Sequence, residues 1–196
     1  MKHFAKLASL ALVLAATLAG RALAADEYKV DPVHAMVLFR IQHAGIGYVH
    51  GRFNDPTGSF TLDEADPTKS TFNVEVQVAN VDTHNDKRDA HLKSPDFFNA
   101  KQYPTITFKS TSVKKGAAPN TLDVTGDLTL HGVTRSITVQ VELTGKGQFP
   151  PGAYRAGLET TFTVKRTDYD IKGIPAMPNA VGDDVRLTVA IEGVKQ

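Results

Sequence analysis

The sequence predicts an all-β domain of about eight antiparallel strands, placed behind a cleavable leader. Three observations carry that expectation. Apolar and polar residues alternate at period two through most of the chain after residue 28, as strands with one buried face require. Clusters of Gly, Pro, Asn and Asp separate the alternating runs at points where a sheet must turn. The three-to-four spacing of apolar residues that a helix needs does not run through these segments.

The leader comes first. Met1-Lys2-His3-Phe4-Ala5-Lys6 is a basic start, Leu7 to Ala19 carries no charge, and Ala22-Leu23-Ala24 is an A-x-A end. That is the pattern of a secretory signal peptide over residues 1–24. Its uncharged stretch of 13 residues falls short of the roughly 20 that span a bilayer as a helix. No cysteine follows for lipid attachment, so a product free of any stable membrane anchor is expected. Cleavage removes 24 of 196 residues and leaves a single domain of 172, residues 25–196. It also removes Lys2, Lys6 and Arg21, so the 22 basic residues fall to 19 against 21 acidic, a net charge of −2. A mildly acidic domain suits neither non-specific nucleic-acid binding nor a polybasic membrane surface. Without cysteine, an exported chain must be held by its core and sheet alone.

The strands follow in order. Ala35, Val37, Phe39, Ile41 and His43 take one parity against Met36, Leu38, Arg40 and Gln42. Gly45 to Phe60 reads as one long strand kinked at Gly51, or as two. Val74, Val76 and Val78 mark the next, and Ile106 with Phe108 another. Leu122 to Leu130, Ile137 to Leu143, Ala156 to Val164 and Val185 to Ile191 complete the set. Turns are expected at Asn54-Asp55-Pro56, from Asp63 to Pro67, from Lys115 to Asn120, at His131-Gly132 and from Gly145 to Gly152.

One stretch breaks the pattern. Asp82 to Phe98 is polar and reads as a helical crossover around residues 85–98, with a short helix capped near Asn85 or Asp86. Ser94-Pro95 resembles a second N-terminus, opening another helical turn through Phe97 and Phe98. Eight strands with one apolar face can form a sandwich or a closed barrel. The barrel is preferred because it leaves no exposed edge, and the pattern does not say whether its interior is filled or hollow.

The search for chemistry yields mostly absences. No G-x-S-x-G, H-E-x-x-H or Walker loop is present. Gly45-Ile46-Gly47-Tyr48-Val49-His50-Gly51 is off by one from a dinucleotide fingerprint and opens a strand. Outside the leader lie His34, His43, His50, His84, His91 and His131, without metal-ligand spacing; neither a metal nor a cofactor is expected. Lys87, Arg88, His91 and Lys93 could form a basic lip for an anionic head group. A solvated helix balanced by Asp82, Asp86 and Asp89 is the preferred reading. Phe39, Phe53, Phe60, Phe72, Phe97, Phe98, Phe108 and Phe162 fall on or beside the apolar face. Most are core, and a few could line a cavity.

A set of short motifs, weak singly, is specific in this order and spacing. It runs through Phe39-Arg40-Ile41-Gln42-His43, Val49-His50-Gly51-Arg52-Phe53, Val81-Asp82-Thr83-His84-Asn85, Arg88-Asp89-Ala90-His91-Leu92 and Ser94-Pro95-Asp96-Phe97-Phe98. It continues with Tyr103-Pro104, Ile106 to Ser110, Gly126 to Thr134 and Gly182-Asp183-Asp184-Val185. With these the chain resembles the YceI-like family of periplasmic polyisoprenoid-binding proteins, from about Tyr28 to Val194. The resemblance implies an eight-stranded antiparallel, lipocalin-like barrel whose pore holds a long isoprenoid chain. It also implies a periplasmic location and often a homodimer, and it carries over no catalytic residue. The loop Gly173 to Pro178 is where members are expected to differ.

On this footing the expected function is binding and carriage of an apolar, prenyl or quinone-like molecule, not catalysis. Phe39, Ile41, Phe53, Val76, Phe108 and Phe162 are expected to contact the tail, with His43, Arg88 and His91 at the mouth. Two other readings stand beside it. One is an interaction or stress-protective module with a side-chain-filled barrel. The other is an isoprenoid- or quinone-modifying enzyme using His43, His84 or His91.

Overall fold

The computed structural model describes residues 25–196, and the leader expected over residues 1–24 lies outside the described residues. Among the described residues, eleven strands form one antiparallel sheet with a single α-helix, α1 (Asp86–Leu92). The strands are β1 (Asp26–Val30), β2 (Met36–His43), β3 (Gly47–Phe53), β4 (Thr57–Leu62), β5 (Thr71–Gln77) and β6 (Val81–Asp82). They continue with β7 (Thr105–Lys115), β8 (Thr121–Leu130), β9 (Val133–Gln148), β10 (Tyr154–Lys165) and β11 (Val181–Lys195).

Eight of these, β1, β4, β5, β7, β8, β9, β10 and β11, close into a ring because β1 pairs with β4 on one side and β11 on the other. The sequence pattern left barrel and sandwich open; the closed barrel is what forms. The remaining three strands extend staves of the same barrel past short breaks. β2 follows β1 after the 3-10 turn Pro32–His34 and pairs with the upper part of β11. β3 leads into β4, and β6 follows β5 after the 3-10 turn Val78–Asn80.

These breaks refine the expected strands. The Gly45–Phe60 segment is two strands, and it breaks at Asn54–Pro56, where Asp55 takes φ 55°, and not at Gly51. β1 escaped notice because five residues with Tyr28 and Val30 inward offer too short an alternation. β9 runs on to Gln148, past the turn expected from Gly145, because a bulge at Gly157/Leu158 restores its pairing with β10. The His131-Gly132 turn is as expected: both residues have positive φ, 52° and 76°, which matches a two-residue hairpin between Leu130 and Val133.

The two ends of the barrel differ. At the lower end Tyr28 stacks on Phe60 at 5.0 Å and Phe60 on Phe72 at 6.2 Å between ring centroids. Gly193 makes room for this floor, since a Cβ there would stand 2.5 Å from Phe60 Cε1. Val113, Val124, Ala156, Leu158 and Ile191 fill the space around the rings.

At the upper end β6 pairs with β3 alone and leaves β7, so the barrel wall parts. The crossover between β6 and β7 caps this end: Leu92 and Phe98 pack on Val37, Phe39 and Phe53, while Phe97 joins Leu128, Leu130 and Val164. The Asn85 carboxamide caps α1 by accepting from the Arg88 amide at 3.0 Å, as expected. The second segment makes a single turn and no further helix: Phe97 N–H donates to Ser94 O at 3.1 Å, and Ser94 Oγ accepts from Asp96 N–H at 3.3 Å. Ser94 to Phe98 is a compact bend, with Phe98 N–H donating to Leu92 O at 2.9 Å, and Asn99 at φ 46° ends it.

Candidate functional site

Between the aromatic floor and the crossover lies a cavity of about 190 Å³. Strand alternation builds it: the inward parity of β2 supplies Val37, Phe39 and Ile41, and that of β11 supplies Val185, Leu187, Val189 and Ile191. Leu92, Phe97 and Phe98 of the crossover roof it. Of the polar residues at its wall, Thr107 and Glu159 lie on the outward parity of β7 and β10. Thr160 and Arg166 are the inward ones.

Thr160 sits between Leu158 and Phe162 on β10, opposite Val189 of β11. Its hydroxyl is buried and has no hydrogen-bond partner among the described residues. A lone polar atom in an apolar surround costs free energy wherever it finds no partner.

Arg166 stands where β10 ends, 9% exposed. Its Nε donates to Gly182 O at 2.9 Å, Nη1 to Ile171 O at 2.6 Å and Nη2 to Val181 O at 3.4 Å. No carboxylate lies within ion-pair distance of it among the described residues. The guanidinium therefore clamps both ends of the loop 171–182 over the upper rim through neutral carbonyls, and it brings a positive charge to an apolar wall.

The six residues expected at the tail, Phe39, Ile41, Phe53, Val76, Phe108 and Phe162, all line this cavity. The three expected at the mouth, His43, Arg88 and His91, are not among its lining residues. His43 ends β2 and is exposed on the rim. Arg88 turns back into the crossover, where Nε donates to Thr83 Oγ1 and Nη2 to Thr83 O, both at 2.7 Å. His91 faces Asp96 at 2.9 Å and sets its ring edge-on to Phe97 at 5.0 Å. Arg88 and His91 are placed by local polar partners and brace the roof. Arg166 was missed, although a signal existed. Leu158, Thr160, Phe162 and Val164 share one parity, and two residues further along it is Arg166.

Among the described residues one group, Asp31, His34 and Glu192, has ligand atoms close enough to hold a metal ion. The Arg155 guanidinium already serves it, with Nη1 2.8 Å from Asp31 Oδ2 and in contact with Glu192 Oε1. The His34 ring and Arg155 together hold the Asp31 carboxyl down at about 2, against an ordinary 3.8. This cluster joins the start of the β1–β2 break to β10 and β11 and lies apart from the cavity lining.

Comparisons with known proteins agree with this fold. The YceI-like domain matches residues 28–193. The protein YceI of Escherichia coli is 45% identical over 180 residues, covering 91% of each chain. BcnA of Burkholderia cenocepacia shares the fold with a TM-score of 0.75 at 21% identity, covering 83% of this chain and 98% of that one. A polyisoprenoid binding domain from Saccharophagus degradans, implicated in plant cell wall breakdown, superposes with a TM-score of 0.66 at 18% identity, over 86% and 98% of the two chains.

Proposed function

The chain belongs to the YceI-like domain family, and from that premise we propose that it binds and carries an apolar, isoprenoid-type molecule in its barrel cavity. The observation that carries the reading is the cavity wall, whose inward side chains are apolar except for Thr160 and Arg166. A methyl-branched hydrocarbon matches such a wall, since burying it releases roughly 0.8 kcal/mol per carbon before the costs of ordering. The Saccharophagus degradans domain, described as polyisoprenoid-binding, supports the same ligand class. Phe39, Ile41, Phe53, Val76, Phe108 and Phe162 are the tail contacts, and Arg166 is the cation nearest a polar head. The Arg166 guanidinium is engaged by the carbonyls of Ile171, Val181 and Gly182, an arrangement suited to positioning a bound molecule. The leader expected over residues 1–24 supports export, and the periplasm is the compartment in which carriage is proposed.

The test is native mass spectrometry of the protein purified from a bacterial periplasm, followed by solvent extraction of whatever it releases. A stoichiometric prenyl or quinone-like passenger is expected, and Phe162→Asp should lose it while circular dichroism shows the sheet intact. A protein that arrives empty and refuses added prenyl alcohols would overturn the reading. Recovery from the cytosolic fraction with residues 1–24 still attached would overturn the proposed location.

A further inference from the structure

Two tips stand side by side on the upper rim: the β2–β3 turn, Ala44 to Ile46, and the loop 172–180 before β11. They are joined by the Ala44 N–H donating to Ala180 O at 3.0 Å, just above the His43–Val181 strand pair. Each tip is turned by one backbone hydrogen bond, Ile46 N–H to His43 O and Met177 N–H to Ile174 O, both at 2.9 Å. What they present outward is apolar. Ile46 is 89% exposed, Met177 56% and Tyr48 55%, and Pro175 to Pro178 is exposed throughout.

Single exposed apolar residues are ordinary. Two further observations set this rim apart. First, the residues directly behind the tips, Ile41, Ile171 and Val181, line the cavity, so apolar surface continues from the rim to the interior. Second, the rim has no negative charge of its own. Residues 41–50 and 171–181 contain no Asp or Glu, while Lys172, His43 and His50 lie within them. Arg40 packs 4.4 Å from the centroid of the Tyr48 ring. On β11 the next carboxylates, Asp183 and Asp184, both face Lys165, and Asp170 lies on the other side, before the loop.

We infer that this rim, residues 44–48 and 174–178, is a reversible membrane-docking surface whose occupant is the interfacial layer of a phospholipid bilayer containing anionic lipid. Ile46 and Met177 enter the acyl boundary, Tyr48 takes the headgroup level where amphipathic rings are favoured, and Arg40 and Lys172 meet lipid phosphates. Docked in this way, the barrel gives an apolar molecule a path from bilayer to cavity that never crosses water. The inference goes beyond the carrier reading and does not depend on it, because docking is measured with no cavity ligand present.

The chain contains no tryptophan, so one introduced indole reports its own surroundings. Protein purified after export carries either Ile46→Trp or, as a control, Phe149→Trp in the β9–β10 turn at the lower end, where Phe149 is 77% exposed. Each is mixed with vesicles of phosphatidylethanolamine containing phosphatidylglycerol as the minority lipid. The indole at 46 should shift to the blue and be quenched by brominated acyl chains, and the indole at 149 should do neither. Co-sedimentation of the unsubstituted chain with these vesicles should fall about tenfold in Ile46→Asp/Met177→Asp, with the melting temperature unchanged. The inference is overturned if the unsubstituted chain stays in the supernatant, as it would if the rim served a protein partner. It is equally overturned if both indoles shift alike, or if the double variant sediments normally.

Discussion

Phe39 and Gly51 face one another across the β2–β3 pair, so closely that a Cβ on residue 51 would stand 2.3 Å from Phe39 Cζ and 2.7 Å from Thr83 Cγ2. Gly51 is therefore kept small by the cavity wall and by the crossover together. Gly51→Ala should drive the Phe39 ring off its seat, costing about 1–3 kcal/mol, and should weaken retention of an apolar ligand. Urea unfolding measures the first effect. Phe39→Leu in the same chain should return part of the loss, giving a coupling of at least about 0.5 kcal/mol in a double-mutant cycle. Strict additivity would mean that the two residues do not press on each other.

Thr160 makes the opposite kind of prediction. Its unpartnered hydroxyl is surrounded by Leu158, Phe162 and Val189, and valine has nearly the same shape. Thr160→Val should leave the structure unchanged and raise stability by about 1 kcal/mol, by removing a polar atom that nothing satisfies. A loss of stability in the empty protein would mean that the hydroxyl has a partner in solution.

The acid limb of stability is set partly at the lower end. The His34 ring, then the Arg155 guanidinium, hold the Asp31 carboxyl at about 2 when its ordinary value is 3.8. A carboxyl lowered on folding contributes stability that is complete above pH 4 or so and disappears as the pH falls through about 2. Asparagine also caps the Pro32–His34 turn through its carbonyl oxygen, and Asp31→Asn removes the charge together with the Oδ2 acceptor of His34 and Arg155. The melting temperatures of the two proteins should differ most above about pH 4 and converge towards about pH 2. A gap that stays constant across that range would show that the charge is not what Asp31 contributes.

Much of this was legible in the residues. Alternation identified seven of the eight ring strands and reached the first stave only through β2, and it put Phe39, Ile41, Phe53, Val76, Phe108 and Phe162 on the inner face because parity is a local property. Register and breaks were less visible. The bend after Phe53 depends on Asp55 taking a left-handed conformation before Pro56, while Gly51, the expected kink, is fixed by a neighbour 12 residues earlier in sequence. His43, Arg88 and His91 were placed at the mouth by residue type alone. His43 ends β2 exposed on the rim, and Arg88 and His91 are held by partners, Thr83 and Asp96, that spacing does not reveal. The closing of β1 onto β11 joins the two ends of the domain, a contact no local pattern announces.

Arg166 was the polar exception on the inner face, and its role can be measured apart from any ligand. Its three carbonyl acceptors, on Ile171, Val181 and Gly182, lie at the two ends of the loop 171–182. Arg166→Met keeps an unbranched apolar stem and removes the fork. Two effects then oppose each other. Burial of an unpaired charge is relieved, while up to three carbonyls lose a donor at about 1–3 kcal/mol for each that stays buried. With three acceptors against one charge, the second should win, by about 2 kcal/mol. The loss should be local. Hydrogen exchange should accelerate in residues 171–181 and leave the amide of Val124, in the floor, protected. Arg166→Lys should restore little, since an ammonium cannot reach three carbonyls in the plane of a guanidinium fork. If exchange in 171–181 is unchanged in Arg166→Met, the loop is held by its own backbone, and the guanidinium is free to serve a ligand alone.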